Sequence, residues 1–143
     1  MLVLLVDDSD VMRALTVKQL SALGHTVHVV SNGWHAVLSA EGTNYGAILM
    51  DVQMPVMDGW DATRMIRQSE LQNNKPHTPI IAITAIFDRD TCLASEMDDF
   101  LPKPVCLSQL QSVLKRWQSV GETAEGGNYE SAHPSLPAEH EAF

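Results

Sequence analysis

The sequence predicts an α/β fold built on a parallel β-sheet, and two observations support that class. Short apolar runs alternate with segments of helical period five times along the 143 residues, as expected for parallel strands joined by right-handed helical crossovers. The first, third and fourth runs are almost continuously apolar, which is typical of strands covered by helices on both faces. Periodicity alone leaves the order of the strands open.

Five short apolar runs are predicted to be the strands of this sheet. They are LVLLV at 2–6, TVHVV at 26–30, AILM at 47–50, PIIAIT at 79–84 and DFLP at 99–102.

The predicted helices begin beside residues suited to capping a helix N-terminus. Ser9 precedes a helix that runs to about Leu23, where Gly24 supplies a left-handed stop. The other N-caps and their helices are Asn32 for 33–41, Asp58 for 59–70 and Asp88 for 89–96. The last helix, about 107–118, is amphipathic, with an apolar face formed by Leu107, Leu110, Val113, Leu114 and Trp117.

We expect one folded domain over residues 1–118 and an acidic flexible tail or linker over 119–143. The tail contains Gly, Pro, Ser and Glu without a helical or strand period. After Ser119 there are five acidic residues and no Lys or Arg. The charge of the chain is therefore unevenly distributed.

Composition excludes several classes of function. The net charge of −9 argues against nucleic acid as a direct ligand. No apolar run approaches the roughly 18 residues that a membrane span requires, and the apolar start is too short and lacks the basic residues of a secretory signal. We therefore expect a cytoplasmic protein without membrane contact.

Polar side chains follow the predicted strands where a ligand site is expected. Asp7 and Asp8 follow the first strand, Asp51 follows the third, Thr84 ends the fourth and Lys103 follows the fifth. In an open parallel sheet, ligands bind outside the carboxyl ends of the strands. These five side chains are therefore expected to converge at one edge.

Clustered carboxylates at that edge indicate a divalent cation. A like-charge pair about 4 Å apart costs roughly 4 kcal/mol at an effective dielectric constant near 20. Oxygen ligands without Cys or His suit Mg²⁺, or Mn²⁺, rather than zinc. Lys103 and Thr84 are suited to hold a phosphoryl group on its other side. A carboxylate in such a setting can form an aspartyl phosphate, and Asp51 is the candidate nucleophile.

The motifs LLVDDSD, ILMDVQMPVMDGWDATRMIR, IIAITA and MDDFLPKPV resemble the receiver domain of two-component response regulators. The resemblance covers about residues 1–118. It implies a flavodoxin-like (CheY-like), doubly wound, five-stranded parallel sheet of order 2-1-3-4-5 with five helices. The longest motif is most similar to receivers of hybrid sensor histidine kinases, so the chain could also be the cytoplasmic part of a membrane sensor kinase.

The resemblance assigns roles to the predicted site residues. Asp51 would be the phosphoacceptor, and Mg²⁺ would be bound by Asp8, Asp51 and the backbone carbonyl of Gln53, with Asp7 acting through water. Lys103 would pair with a phosphoryl oxygen. The remaining implied features are a cis bond between Lys103 and Pro104 and a switch formed by Thr84 and Phe100.

The function that the resemblance implies is a phosphorylation switch. Asp51 would accept a phosphoryl group from a phosphohistidine of a histidine kinase or histidine phosphotransfer protein, in a Mg²⁺-dependent reaction that changes partner binding. The chain would catalyse only its own phosphorylation and dephosphorylation, and would be a monomer when unphosphorylated. The alternative to a hybrid-kinase origin is a stand-alone single-domain regulator, and the alternative to a phosphorylation switch is a phosphorylation-independent interaction module.

Two departures from the family pattern concern the fourth helix. Glu96 stands where the family usually has a glycine, and glutamate tolerates the left-handed conformation poorly. The spacing from Thr84 to Lys103 is also shorter by about three residues, which predicts a helix of about two turns that begins near Asp88 and depends on tertiary packing.

Overall fold

A computed structural model of the chain describes residues 1–85 and 89–126. In this part of the chain, five parallel strands form one sheet of order β2-β1-β3-β4-β5. The strands are β1 (Leu2–Val6), β2 (Thr26–Val30), β3 (Ala47–Asp51), β4 (Ile80–Thr84) and β5 (Asp99–Pro102). The predicted fold class and strand order are confirmed.

Five helices connect and follow these strands in the described residues. They are α1 (Asp10–Ala22), α2 (Gly33–Gly42), α3 (Gly59–Gln72), α4 (Arg89–Ala94) and α5 (Leu107–Gly126). The side chains of Ser9, Asn32 and Asp58 accept hydrogen bonds from backbone N–H groups three residues on, as predicted for N-caps. Gly24 has a φ of +90° and ends α1 as expected.

The last helix is longer than the sequence pattern indicated. The predicted end was at about residue 118, whereas α5 runs to Gly126. The segment GETAE after Val120 carries Ala and Glu, which favour helix, and this propensity extends the helix although the amphipathic pattern has stopped. The rest of the predicted tail, 127–143, lies outside the described residues.

Helix α4 is short, and it does not end in a left-handed residue at Glu96. Helix α4 spans six residues, and its predicted N-cap, Asp88, lies outside the described residues. In the described chain, the non-glycine residues with positive φ are Val56 and Asn74. Glu96 therefore does not adopt the left-handed conformation that a glycine would supply at this position, and α4 ends without it.

The sheet separates two apolar layers. Helices α2 and α3 cover one face, with Val37, Met50 and Ile66 among the buried residues of that layer. Helices α1 and α5 cover the other face, with Leu20, Leu49 and Leu114 buried there. Strands β3 and β4 are buried at every residue, whereas the edge strand β2 is partly exposed. Among the described helices, none combines the length and hydrophobicity needed to cross a bilayer.

Candidate functional site

Asp51 is the most buried polar residue at the carboxyl edge of the sheet. It ends β3, is 0% exposed, and has one satisfied and one unsatisfied carboxylate oxygen. Oδ1 accepts hydrogen bonds from Lys103 Nζ at 2.9 Å and from the backbone N–H of Gln53 at 3.1 Å. Oδ2 has no hydrogen-bond partner among the described residues. A buried acceptor without a donor is costly unless the site binds something there.

Asp7 is held in place by the residues that start α1. Its Oδ1 accepts a hydrogen bond from the backbone N–H of Ser9 at 2.9 Å, and its carbonyl accepts one from Arg13 Nη1 at 2.8 Å. Asp7 is buried, whereas the adjacent Asp8 is exposed. Sequence reasoning identified Ser9 only as a helix cap and missed Arg13, which lies one helical turn beyond the cap and so reaches back to the strand end.

Three carboxylates meet at this edge, as the strand ends predict. One oxygen each from Asp7, Asp8 and Asp51 lie within 4.8 Å of one another. An all-oxygen cluster that includes an unpartnered buried oxygen has the chemistry of a site for a hard divalent cation. The donor set therefore fits Mg²⁺ and gives no reason to expect zinc.

The electrostatics of Asp51 reflect this crowding. Burial raises the pKa of the Asp51 carboxyl above its ordinary value, and the negative charge of Asp7 raises it further. The hydrogen bond and the positive charge of Lys103, together with the Gln53 N–H, oppose the increase in pKa without cancelling it. The ionised carboxylate is therefore incompletely compensated by the protein alone, and an added cation would stabilise it.

Lys103 is positioned by the turn that follows β5. Its backbone N–H donates to the carbonyl of Thr84 at 3.0 Å, and its bond to Pro104 is cis, as the resemblance implied. Thr84 ends β4, is buried, and pairs in register with Pro102 of β5. The ammonium group and the strand end that carries the Thr84 hydroxyl are thereby fixed to the same edge as Asp51.

A glycine allows helix α3 to pack directly on the end of β3. A Cβ atom added to Gly59 would lie 2.5 Å from the carbonyl oxygen of Asp51 and 2.9 Å from the Cα of Val52. Both contacts are with backbone and are too short for any side chain to accommodate. Gly59 therefore sets how closely the helix approaches the phosphoacceptor candidate.

Gln53 and Thr84 border a cleft of about 480 Å³ beside Asp51. It is lined by Val52, Gln53, Met54, Asp58, Trp60, Thr84 and Thr91. Phe100 is half-buried and packs against the α2–α3 layer of the core. The metal-binding role of the Gln53 carbonyl and the switch role of Phe100 stay predictions.

Comparison with known proteins identifies the family. Residues 3–115 match the family model described as the response regulator receiver domain. The chain belongs to this receiver family. It is 36% identical over 135 residues to the hybrid signal transduction protein dokA of Dictyostelium discoideum. That match covers 94% of this chain and 8% of dokA. The chain thus spans a small part of a curated relative that it matches.

Two solved structures have the same fold. The receiver domain of the sensor histidine kinase PA1611 of Pseudomonas aeruginosa PAO1, with a magnesium ion in its active-site cleft, is 43% identical with a TM-score of 0.74. That match covers 82% of this chain and 97% of the other. The receiver domain of Saccharomyces cerevisiae Ssk1, crystallised with the histidine phosphotransfer protein Ypd1, is 28% identical with a TM-score of 0.79, covering 85% and 90%.

These relatives confirm the resemblance stated from the motifs. The chain is a receiver domain of the kind found in hybrid histidine kinases and phosphorelay proteins. The similarity to receivers of hybrid kinases, predicted from the residues of the longest motif, is also confirmed.

Proposed function

We propose that this receiver domain accepts a phosphoryl group on Asp51 from a phosphohistidine, in a reaction that requires Mg²⁺. The observation that supports this most directly is the asymmetry of the Asp51 carboxylate. Oδ1 is held by Lys103 and Gln53, while the buried Oδ2 lacks a partner among the described residues. One oxygen is thus anchored and the other is available as a nucleophile.

Mg²⁺ would be bound by Asp8, Asp51 and the carbonyl of Gln53, with Asp7 acting through a water molecule. The mutual proximity of the three carboxylates supports this assignment, and Mn²⁺ prefers the same oxygen ligands. When bound, the cation supplies positive charge that offsets the charge on the transferring phosphoryl oxygens. The hydrogen bonds from Ser9 and Arg13 hold Asp7 ready for this role.

The transfer step uses groups at the edge of the sheet. Oδ2 of Asp51 attacks the phosphorus of a phosphoimidazole, so an O–P bond forms and the N–P bond breaks. The electron pair of the broken bond stays with the imidazole nitrogen of the donor. The Lys103 ammonium group and the Thr84 hydroxyl then stabilise the phosphoryl oxygens by charge and hydrogen bonding. Attack by water on the acyl phosphate returns the carboxylate and releases phosphate.

The surface beside the site is suited to a protein donor. Residues 11–40 contain no Asp or Glu, although the whole chain contains 18. Val11 and Leu15, four residues apart on one face of α1, are 76% and 41% exposed. This helix begins at Asp10, two residues after Asp8. We propose that the histidine kinase or phosphotransfer protein docks on the face of α1 formed by Val11 and Leu15. We assign no direct role to nucleic acid.

The experiment that tests the phosphoacceptor assignment is labelling with a small acyl phosphate in the presence of Mg²⁺. One phosphoryl group should be added, as measured by intact mass, and chelation of the metal should prevent it. Asp51→Asn should abolish the addition, whereas Asp61→Asn, which changes an exposed aspartate on α3, should not. Labelling retained in Asp51→Asn would refute the assignment.

The docking assignment is tested with a phosphorylated histidine phosphotransfer protein as donor. Val11→Asp should slow transfer from that protein at least tenfold without changing labelling by the small acyl phosphate, because only protein docking requires the apolar face. The matched control is Leu71→Asp, since Leu71 is 83% exposed on α3. Equal effects of the two substitutions would contradict the proposed face.

We further propose that the domain is part of a hybrid histidine kinase, that it acts in the cytoplasm, and that its unphosphorylated form is a monomer. The similarity to dokA and to the PA1611 receiver supports the first point. Sedimentation velocity of the unphosphorylated chain should give a single species of monomer mass. A stand-alone regulator would instead be indicated by a reading frame that encodes no kinase core.

A further inference from the structure

A second charged cluster lies at the opposite edge of the sheet from the phosphorylation site. Its centre is Arg67 of α3, which is 7% exposed. Around it are Glu70 of the same helix, His77 before β4 and Asp98 before β5. We call these four residues the Arg67 network. None of them takes part in the proposed phosphoryl transfer.

Arg67 uses all of its guanidinium nitrogens within this cluster. Nη1 donates to Glu70 Oε1 at 2.9 Å and to the carbonyl of Thr78 at 2.8 Å. Nη2 donates to Asp98 Oδ2 at 2.7 Å, and Nε donates to the carbonyl of Glu96 at 3.1 Å. One side chain thus connects α3 to the segment before β4 and to the turn that follows α4.

The carboxylates of the network are equally engaged. Glu70 Oε2 accepts a hydrogen bond from the backbone N–H of Thr78 at 2.9 Å. Asp98 Oδ2 also accepts one from the N–H of Ile80 at 2.8 Å, and Asp98 Oδ1 contacts His77 Nε2 at 2.8 Å. Charge-assisted hydrogen bonds in a buried setting are the strong class, and they reinforce one another.

These contacts hold the turn between α4 and β5 from several sides. The carbonyl of Glu96 is bound by Arg67, the N–H of Asp98 donates to Ile80 O at 2.8 Å, and Met97 is buried in the core. Because the bonds are directional and short, a shift of the turn by about 1 Å would break several of them together. The turn over residues 96–98 is thereby tied to α3 and β4.

We infer that the Arg67 network fixes the turn over residues 96–98 that follows α4, so that the change that phosphorylation produces in the backbone of α4 stops before residue 96. The inference rests on the proposed function for its second half, since it supposes that Asp51 is phosphorylated. Its first half concerns the unphosphorylated domain alone. Arg67 acts here as a positioning residue, not a catalytic one.

Four backbone amides report on the network and on the turn that it holds. Those of Thr78 and Ile80 donate to the network carboxylates, that of Asp98 donates to the carbonyl of Ile80, and that of Met97 donates to Ser95 Oγ within the turn. We would measure amide hydrogen exchange of the full chain with Mg²⁺, with and without beryllofluoride as phosphoryl mimic. In the parent protein, the mimic should change exchange over residues 89–94 and leave the four reporter amides unchanged. Reporter amides that change as much as residues 89–94 would overturn the inference.

Arg67→Met should raise exchange of the reporter amides about tenfold or more in the free domain, because charge-assisted hydrogen bonds are lost. The mimic should then also alter exchange at residues 96–98. Arg64→Met is the matched control, since Arg64 lies on the same helix and pairs with Asp61 at the surface. If Arg67→Met does not fold, Asp98→Asn carries the same test. If the exchange rates of the reporter amides in free Arg67→Met equal those in the parent, the network does not hold the turn.

The two proposals fail in different ways. Binding of beryllofluoride is read separately, from the thermal shift that it produces with Mg²⁺. If no mimic binds and Asp51 is not labelled, the proposed function fails, while the free-domain comparison of Arg67→Met with Arg64→Met still tests the anchor. If the mimic binds and changes the exchange of the reporter amides in the parent, the proposed role of the Arg67 network is wrong and the proposed function stands.

Discussion

At the scale of single residues, Asp51 is fully buried although the protein satisfies only one of its carboxylate oxygens. Asn has the same shape, retains an acceptor for Lys103 and Gln53, and removes the charge. We expect Asp51→Asn to raise the free energy of unfolding of the metal-free domain by about 1 kcal/mol or more, because it removes an ionised carboxylate that burial and the charge of Asp7 disfavour. Urea unfolding in the presence of a chelator measures it.

The increase in the free energy of unfolding produced by Asp51→Asn should depend on pH. Burial raises the pKa of Asp51 in the folded state, so the folded state binds this proton more tightly than the unfolded state does. Stability from this group is therefore highest below the unfolded pKa and is lost as pH rises through the folded pKa. The advantage of Asn should be full at neutral pH and should shrink as the solution becomes acidic. An advantage that grows in acid would contradict this account.

Val56 carries a measurable strain. It has a φ of 72° and is 90% exposed, a combination that gives a β-branched side chain an unfavourable backbone conformation and little packing in return. Val56→Asn should stabilise the domain by about 1 kcal/mol, because Asn tolerates the left-handed region. Val11→Asn serves as control at an exposed helical position. Equal changes in urea midpoint for both variants would show that strain at Val56 is negligible.

Residue types placed next to strand ends were predictable from sequence, because the chain order fixes their position. Asp7, Asp8, Asp51 and Lys103 are of this kind, and the structure brings the three carboxylates together and pairs Lys103 with Asp51. The partners of Arg67 beyond Glu70 were not predictable, because they come from two other segments up to 31 residues away. Only tertiary packing decides which of the many charged side chains in the sequence becomes buried.

At the scale of elements, the contact between α3 and β3 is limited by Gly59. Gly59→Ala should destabilise the domain by about 1–3 kcal/mol, as overpacking against rigid backbone does, and should slow phosphorylation of Asp51 because the strand end is displaced. Gly42→Ala is the matched control, since a Cβ there meets nothing within 4 Å and Ala favours helix. Thermal unfolding of the two variants should shift in opposite directions.

Helix α4 should be the least protected helix that the structure describes. Its six residues are too few for independent helical stability, so it depends on tertiary packing. Amide exchange over residues 89–94 should be faster than over the 13-residue helix α1 in the free domain, and a phosphoryl mimic should slow it. Equal protection of the two helices would show that the shortened connection has no dynamic consequence.

Helix starts were easier to predict than helix ends. Ser9, Asn32 and Asp58 cap through their own side chains within three residues, so the signal is local. The end of α5 carried no reliable signal, because Gly121, a residue type that often ends helices, lies within α5 and does not stop it. Helix propensity then continued the helix beyond the last apolar position.

At the scale of the whole molecule, hydrophobic periodicity gave the parallel α/β class but not the order of the strands. The continuous apolar runs of β1, β3 and β4 show only that these strands are internal. Every one of several internal orders would satisfy that pattern, and the observed order was obtained from family resemblance. This order sets β1 beside β3, which is why the carboxylates of Asp7 and Asp51 meet.

Because the carboxylate cluster is assembled only by the folded sheet, Mg²⁺ should stabilise the whole domain. A ligand that binds the folded state alone adds about 2.7 kcal/mol at a concentration of 100 times its Kd. Asp8→Ala should remove most of this gain and make the metal-free domain more stable, since it relieves repulsion among the three carboxylates. Thermal unfolding with and without Mg²⁺ measures both effects.

The matched control for this experiment is Asp10→Ala. Asp10 lies two residues from Asp8 and pairs with Arg13 at the surface, but its carboxylate is outside the cluster of Asp7, Asp8 and Asp51. Its removal changes the net charge equally, so it corrects for the general repulsion within a chain of charge −9. The Mg²⁺ gain should persist in Asp10→Ala. If both variants lose it to the same extent, Mg²⁺ acts by screening the acidic surface, and the site at Asp51 is not where it binds.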